Sequence, residues 1–128
     1  MTQWNCRVLE EWEIDRLLDE ATLCRLALAA DNQPYLLPLG VRTEKDGDGN
    51  YVFRIQSPIY GTKMEYLQQS RRVALEFERP CADGVESVVA FGIARFLLPK
   101  NGGGRAEIKV TPYQISGRCC TKQKHPGE

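Results

Sequence analysis

Residues 51–78, YVFRIQSPIYGTKMEYLQQSRRVALEFE, read as strand, short helix, strand, and the rest of the chain is placed around them. Tyr51, Phe53 and Ile55 alternate with Val52, Arg54 and Gln56, the period of two that a half-buried strand needs, and Pro58 ends it. Thr62 then opens a short helix. Glu65, three residues on, is spaced to accept from the Thr62 backbone N–H, so residues 62–65 have the form of a capping box. Lys63 falls in the first helical turn, where amides and macrodipole already supply positive potential and a cation is unfavourable unless an anion lies opposite. Ser57 at the strand end, the amides around Gly61 and Thr62, and the Lys63 ammonium therefore suit a phosphate at a helix N-terminus. The other reading of Lys63 is a solvated side chain on a surface helix. Beyond the helix, Val73, Leu75 and Phe77 alternate with Ala74, Glu76 and Glu78 as a second strand.

Upstream, residues 2–12 show no clean period and leave open a lead-in turn or an added helix. Ile14, Leu17, Leu18 and Ala21 form one apolar stripe on a helix that plugs or flanks the core. Cys24, Leu26, Leu28 and Ala30 alternate into the turn at Asp31-Asn32-Gln33-Pro34, and a returning strand over residues 35–43 completes a β-hairpin. Pro38 cannot donate to a ladder, which implies an edge, a bulge, or backbone left free for a ligand. Residues 44–50, EKDGDGN, make the next turn. The Asp46, Asp48, Asn50 spacing resembles a calcium loop, but Gly and Glu are missing at the sixth and twelfth positions, and no metal site is expected there.

Downstream, residues 79–84 read as a turn. Residues 86–98 form a strand apolar on both faces, the most buried one, with Gly92 marking a bend or the close approach of another backbone. Gly102, Gly103 and Gly104 lack the Lys-Ser/Thr of a phosphate loop and read as a flexible connection. Residues 106–110 give a last short strand before Thr111-Pro112, and residues 121–128 read as a frayed end. The expectation is a mainly β chain with minor α, about six antiparallel strands in a small barrel with one or two flanking helices.

With 128 residues, 42% of them hydrophobic, the chain suits a single domain over 1–128 with its core at about 13–118. Seventeen basic and 17 acidic residues cancel, so no broad basic field points to nucleic acid or an anionic membrane. No apolar run of about 18 residues and no leader pattern is present, and a cytoplasmic location is expected. Five cysteines, an odd number without framework spacing, suit reduced thiols.

His125, in the tail, is the lone histidine, which argues against a His-assisted Ser or Cys nucleophile. Cys119 and Cys120 are adjacent rather than spaced as a zinc pair. Glu76 and Glu78 share one strand face, the usual solvated arrangement. If the chain does chemistry, a cofactor carries it.

Taken in order, EIDRLLDEATLCRLALAADNQPYLLPLGV, YVFRIQSPIYGTKMEYL, RRVALEFE, SVVAFGIARFL and EIKVTPYQISGR resemble the flavin-binding split-barrel family related to pyridoxamine 5′-phosphate oxidase, and within it the nitroimidazole-resistance branch. The resemblance implies a split β-barrel and FMN, bound by Pro38, Leu39 and Gly40 on the returning strand, by Gln56 and Ser57, and by Gly61, Thr62 and Lys63 beside the phosphate. It implies a homodimer with FMN between barrels, and a flavin-dependent oxidoreductase acting on a small-molecule substrate or electron donor. In that branch His usually stands five residues before the Gly, where this chain has Gln56, a side chain that hydrogen-bonds but does not titrate near neutrality. Catalytic residues stay unassigned. A non-catalytic flavin-binding or redox-sensing module, and a related barrel holding haem or a deazaflavin, are the alternative readings.

Overall fold

Asp31 and Asn32 both take positive φ, 51° and 62°. This is the two-residue turn whose twist matches antiparallel strands, and it folds β2 (Leu23–Ala30) directly back as β3 (Gln33–Gly40), in register from Ala30 opposite Gln33 to Leu23 opposite Gly40. The computed structural model of the chain describes residues 3–99 and 105–123. His125, the three-glycine connection and the end of the tail lie outside the described residues. Besides this hairpin the chain forms β1 (Gln3–Val8), α1 (Glu11–Glu20), β4 (Arg42–Lys45), β5 (Tyr51–Pro58), α2 (Thr62–Gln69), β6 (Arg72–Cys81), β7 (Gly84–Leu97) and β8 (Arg105–Gln123).

All strand pairs are antiparallel, in the order β3-β2-β6-β7-β8-β5-β4, with β1 also on β8. The path begins at β3 and ends at β4, two strands that follow each other in the chain with Val41 alone between them. The sheet is thus an open barrel, split between its two end strands. β3 is an edge, which is the first of the three readings of Pro38.

The core joins both halves of the sheet. Phe53 on β5 and Phe77 on β6 meet with ring centroids 5.0 Å apart, and Leu26, Ile55, Leu75, Val88, Ile108 and Val110 are fully buried around them. Leu17 and Leu18 of α1 close this core where the helix touches β4, β6 and β7. The α1 start is set by Glu13, whose carboxylate accepts the Glu10 amide at 3.0 Å and the fork of Arg7 at 2.8 Å. Met64 and Leu67 seat α2 on β2, and Tyr66 meets Tyr35 at 5.3 Å.

Eight strands replace the expected six for local reasons. Residues 35–43 are broken at Val41, whose amide turns to the Thr22 carbonyl at 3.0 Å. Residues 3–8 form a strand whose side chains are all exposed, so no apolar alternation marks them. The last strand spans 19 residues rather than five. Pro112 does not end it, because β8 slips in register there: Phe91 faces Gln114 and Gly92 faces Pro112, leaving Tyr113 unmatched. Thr121, expected to fray, pairs with both Asn5 and Gly84.

Three further expectations are corrected. Thr62 is not a cap: Gly61 holds the cap position at φ 113°, with no side-chain cap, and its carbonyl takes the Met64 and Glu65 amides at 3.1 and 3.2 Å. The turn expected over residues 79–84 is only Ala82 and Asp83, since Cys81 already pairs with Gly84. β7 buries one face, Val88, Ala90 and Ala94, while Phe91 and Ile93 are exposed on the other. In the 46–50 turn, Asp46 Oδ1 accepts the Asp48 and Asn50 amides, both at 2.9 Å, so that oxygen serves the turn.

The cysteines also depart from expectation. β1 sets Cys6 directly opposite Cys120, and the two form a disulfide, leaving Cys24, Cys81 and Cys119 as free thiols.

Candidate functional site

The split in the barrel opens a cavity of about 440 Å³. Thr22, Gly40, Val41 and Arg42 form one wall, at the joint between β3 and β4. Arg54 and Gln56 on β5, with Arg105 and Glu107 on β8, form the other. β5 and β8 carry these side chains together because Gln56 stands opposite Glu107 and Pro58 opposite Arg105.

Three guanidinium groups in one cavity repel unless carboxylates lie between them. Arg42 and Arg54 are direct cross-strand partners, and Glu44 separates their charges, one carboxylate oxygen taking each Nε at 2.9 Å. Arg54 also donates to Glu107. The Arg54 hydrogen bond, more than the nearby charges, holds the Glu44 carboxyl below its usual range. Arg105 and Lys63 enter no ion pair among the described residues. Gln56 is exposed, and with Arg105 and Glu107 it also faces a second cavity of about 210 Å³ lined by Leu97, Leu98 and Pro99.

Of the residues singled out in the sequence, Gly40 and Gln56 line the main cavity. Pro38 and Leu39 lead into Gly40 on β3, Pro38 exposed and Leu39 packed on the core. Ser57 is buried, 1% exposed, and its hydroxyl donates to the Pro58 carbonyl at 2.9 Å. Gly61 and Thr62 are exposed at the start of α2 and Lys63 is half-buried. The Thr62 and Lys63 amides lie ahead of the first intrahelical bonds and have no acceptor within the helix. None of these three lines either cavity. Glu76 and Glu78 both accept from Arg25 on β2, away from the split.

Sequence reasoning missed Thr22, Val41, Arg42, Arg54, Arg105 and Glu107. Arg54 carried a signal, as the one charged residue of β5.

The residues present fit a flat, anionic, hydrogen-bonding ligand. The cavity volume lies in the range of small-molecule sites, roughly 300–1,000 Å³. Gly40 presents bare backbone on this wall, and the space beside it is open, a Cβ there meeting only Thr22 O at 3.8 Å. The opposite wall supplies donors from Arg54, Gln56 and Arg105.

The described residues thus form an open antiparallel barrel with a polar cavity at its split. The chain belongs to the pyridoxamine 5′-phosphate oxidase family, whose sequence profile matches residues 10–118. Three solved structures share the fold. A candidate 5-nitroimidazole antibiotic resistance protein from Bacteroides thetaiotaomicron superposes with TM-score 0.79 at 17% identity, covering 95% of this chain and 92% of its own. An FAD-binding protein from Mesorhizobium loti gives 0.75 at 22% identity, covering 93% and 99%. The FAD-binding protein from Mycobacterium smegmatis gives 0.69 at 20% identity, covering 94% and 100%. No curated protein matches the chain in sequence.

Proposed function

We propose that the protein binds a flavin, FMN, at the split of the barrel and works as a flavin-dependent oxidoreductase on a small molecule. The observation that carries this reading is the cavity itself, with bare backbone at Gly40 on one wall and guanidinium and amide donors on the other. Family membership and the two FAD-binding proteins of the same fold support a flavin. The choice of FMN rests on the start of α2 at Gly61, Thr62 and Lys63, where a cation beside free helix amides is favourable once a single phosphate binds.

In this reading Gly40, Gln56, Arg54 and Arg105 hold the ring system, with Pro38 and Leu39 setting the path of the strand beneath it. Lys63 and Thr62 hold the phosphate. Ser57 joins them if its hydroxyl leaves Pro58. A bound flavin supplies hydride and single-electron transfer. The chain's own residues bind and orient it, while Gln56 donates or accepts a hydrogen bond without exchanging protons near neutrality. That last property favours a second reading, a flavin carrier or redox sensor without turnover.

The working form in this proposal is a homodimer. Phe91 and Ile93, 40% and 37% exposed on the outer face of β7, are the apolar surface a second copy would cover. Among the described residues, no helix is long and apolar enough to cross a membrane, and the cytoplasm is the compartment proposed.

The test is a visible spectrum of the purified protein, followed by titration with FMN and with FAD. Flavin bands and preferential FMN binding are expected. A haem spectrum, or a colourless protein that takes up neither flavin, overturns the proposal. Reduction by a nicotinamide donor in the presence of acceptors separates enzyme from carrier.

A further inference from the structure

Besides its backbone ladder, β1 is held to the barrel by the Arg7–Glu13 pair, the Lys122 ammonium over the Trp4 ring at 5.7 Å and the Cys6–Cys120 bond. All six of its side chains are exposed, and among the described residues it has β8 on one edge and no strand on the other. Ladder bonds in such a strand are nearly balanced by the freedom of the chain they order. The cross-link shifts that balance. Cys6 and Cys120 oppose each other in register with Cα atoms 4.1 Å apart, the spacing of a non-hydrogen-bonded pair, where facing side chains come closest. Cys6 is exposed and Cys120 half-buried, so a reductant reaches the bond with the barrel intact. Both cysteines lie outside residues 10–118, the part matched by the family profile.

We propose that Cys6–Cys120 is a thiol-operated latch, which a dithiol reductant opens to free the start of β1 from β8 while the barrel stays folded. One thiolate of the reductant attacks a sulfur of the disulfide and expels the other as thiolate. The second thiol of the reductant then resolves the mixed disulfide. Two electrons and two protons pass to Cys6 and Cys120, and the reductant leaves as its own disulfide.

The structure limits how far the strand peels. Leu9 is buried with its amide on the Gly117 carbonyl at 2.9 Å, and Arg7 is forked onto Glu13. The freed segment is residues 3–6, and residues 120–123 lose their partner on that edge. On its other edge β8 keeps Cys120 on Val85 and Thr121 on Gly84. Cys119 points to the opposite face from Cys120 by strand alternation and is buried there.

Protein isolated in air and unfolded without reductant should show the three thiols of Cys24, Cys81 and Cys119, and after dithiothreitol all five. Hydrogen exchange read by mass spectrometry on the native protein, before and after dithiothreitol, tests the latch. Residues 3–6 and 120–123 should lose protection several-fold on reduction, with β6 and the middle of β7 unchanged. The Cys6→Ser/Cys120→Ser double variant should show the open pattern at once and ignore dithiothreitol. The reduced wild-type chain carries the same test if that variant fails to fold. Five thiols in the air-isolated protein would overturn the proposal, as would identical exchange in the two states. Loss of protection throughout the barrel would also overturn it, by making the bond a global staple.

Discussion

Gly92 on β7 stands directly opposite Pro112 on β8, at the slip in their ladder that leaves Tyr113 unmatched. Pro112 brings no amide to a stretch of β8 that has left β5 at Val110 and meets β1 only at Arg118, and Gly92 leaves room for the displaced backbone. A Cβ at Gly92 would sit 2.8 Å from the Thr111 carbonyl oxygen, 2.8 Å from Val110 Cγ1 and 3.1 Å from Pro112 Cα. Gly92→Ala should therefore destabilise the fold by about 1–3 kcal/mol, the usual cost of overpacking. Chemical denaturation checks this, and a variant as stable as the parent would show that the bulge relaxes freely.

Lys63→Ala should weaken FMN binding by about ten- to over a hundredfold, since one charge-assisted contact is worth ~1.5–3 kcal/mol. Ser57→Ala should change it far less, because the Ser57 hydroxyl already has the Pro58 carbonyl. Fluorescence titration of both variants separates the helix start from the strand end. Parental affinity in Lys63→Ala would move the phosphate elsewhere, with Arg105 the next cation to remove.

Placing a carboxylate on the outer face of β7, as in Phe91→Glu, should weaken dimerisation and FMN binding together. Sedimentation and flavin titration on one sample measure both. A monomer that keeps stoichiometric FMN would show that the split of one barrel is a complete site.

Acid should act through Glu13. The Arg7 hydrogen bonds, and after them the Glu10 amide, hold its carboxyl down at about 2 against an ordinary 4.5. The unfolded chain therefore binds this proton first as pH falls, and the stability Glu13 contributes is full above 4.5 and lost on the way down to about 2. Glu13→Gln should be less stable than the parent near neutrality, with the gap closing across that window. Urea midpoints measured at several pH values give the comparison, and a gap that does not narrow would assign the effect of Glu13 to shape.

The strands that sequence reading found are those with one face in the core, since Phe53, Ile55, Leu75 and Phe77 repeat every second residue and are buried. β1 has no buried face and so left no period to read. Pro112 hid the length of β8, because what accommodates it, the slip opposite Gly92 and the open edge between the β5 and β1 ladders, exists only once the strands have paired. Gly40 and Gln56, singled out through the order of motifs, line the cavity. Arg42, Arg54, Arg105 and Glu107 were not singled out, because they come from three strands and meet only once β5 has paired with both β4 and β8. The Cys6–Cys120 bond was hidden for the same reason, a partnership across 114 positions created by register.

The single residue between β3 and β4 has a mechanical meaning. A fully closed barrel can widen only by breaking ladder bonds along a seam, whereas here the seam carries no strand pairing and is spanned by one covalent joint at Val41. Thr22 holds the amide side of that joint, and α1 reaches β4, β6 and β7 from one helix. A ligand entering at the split therefore breaks no ladder bond, because the two strands that border it are paired only on their far edges.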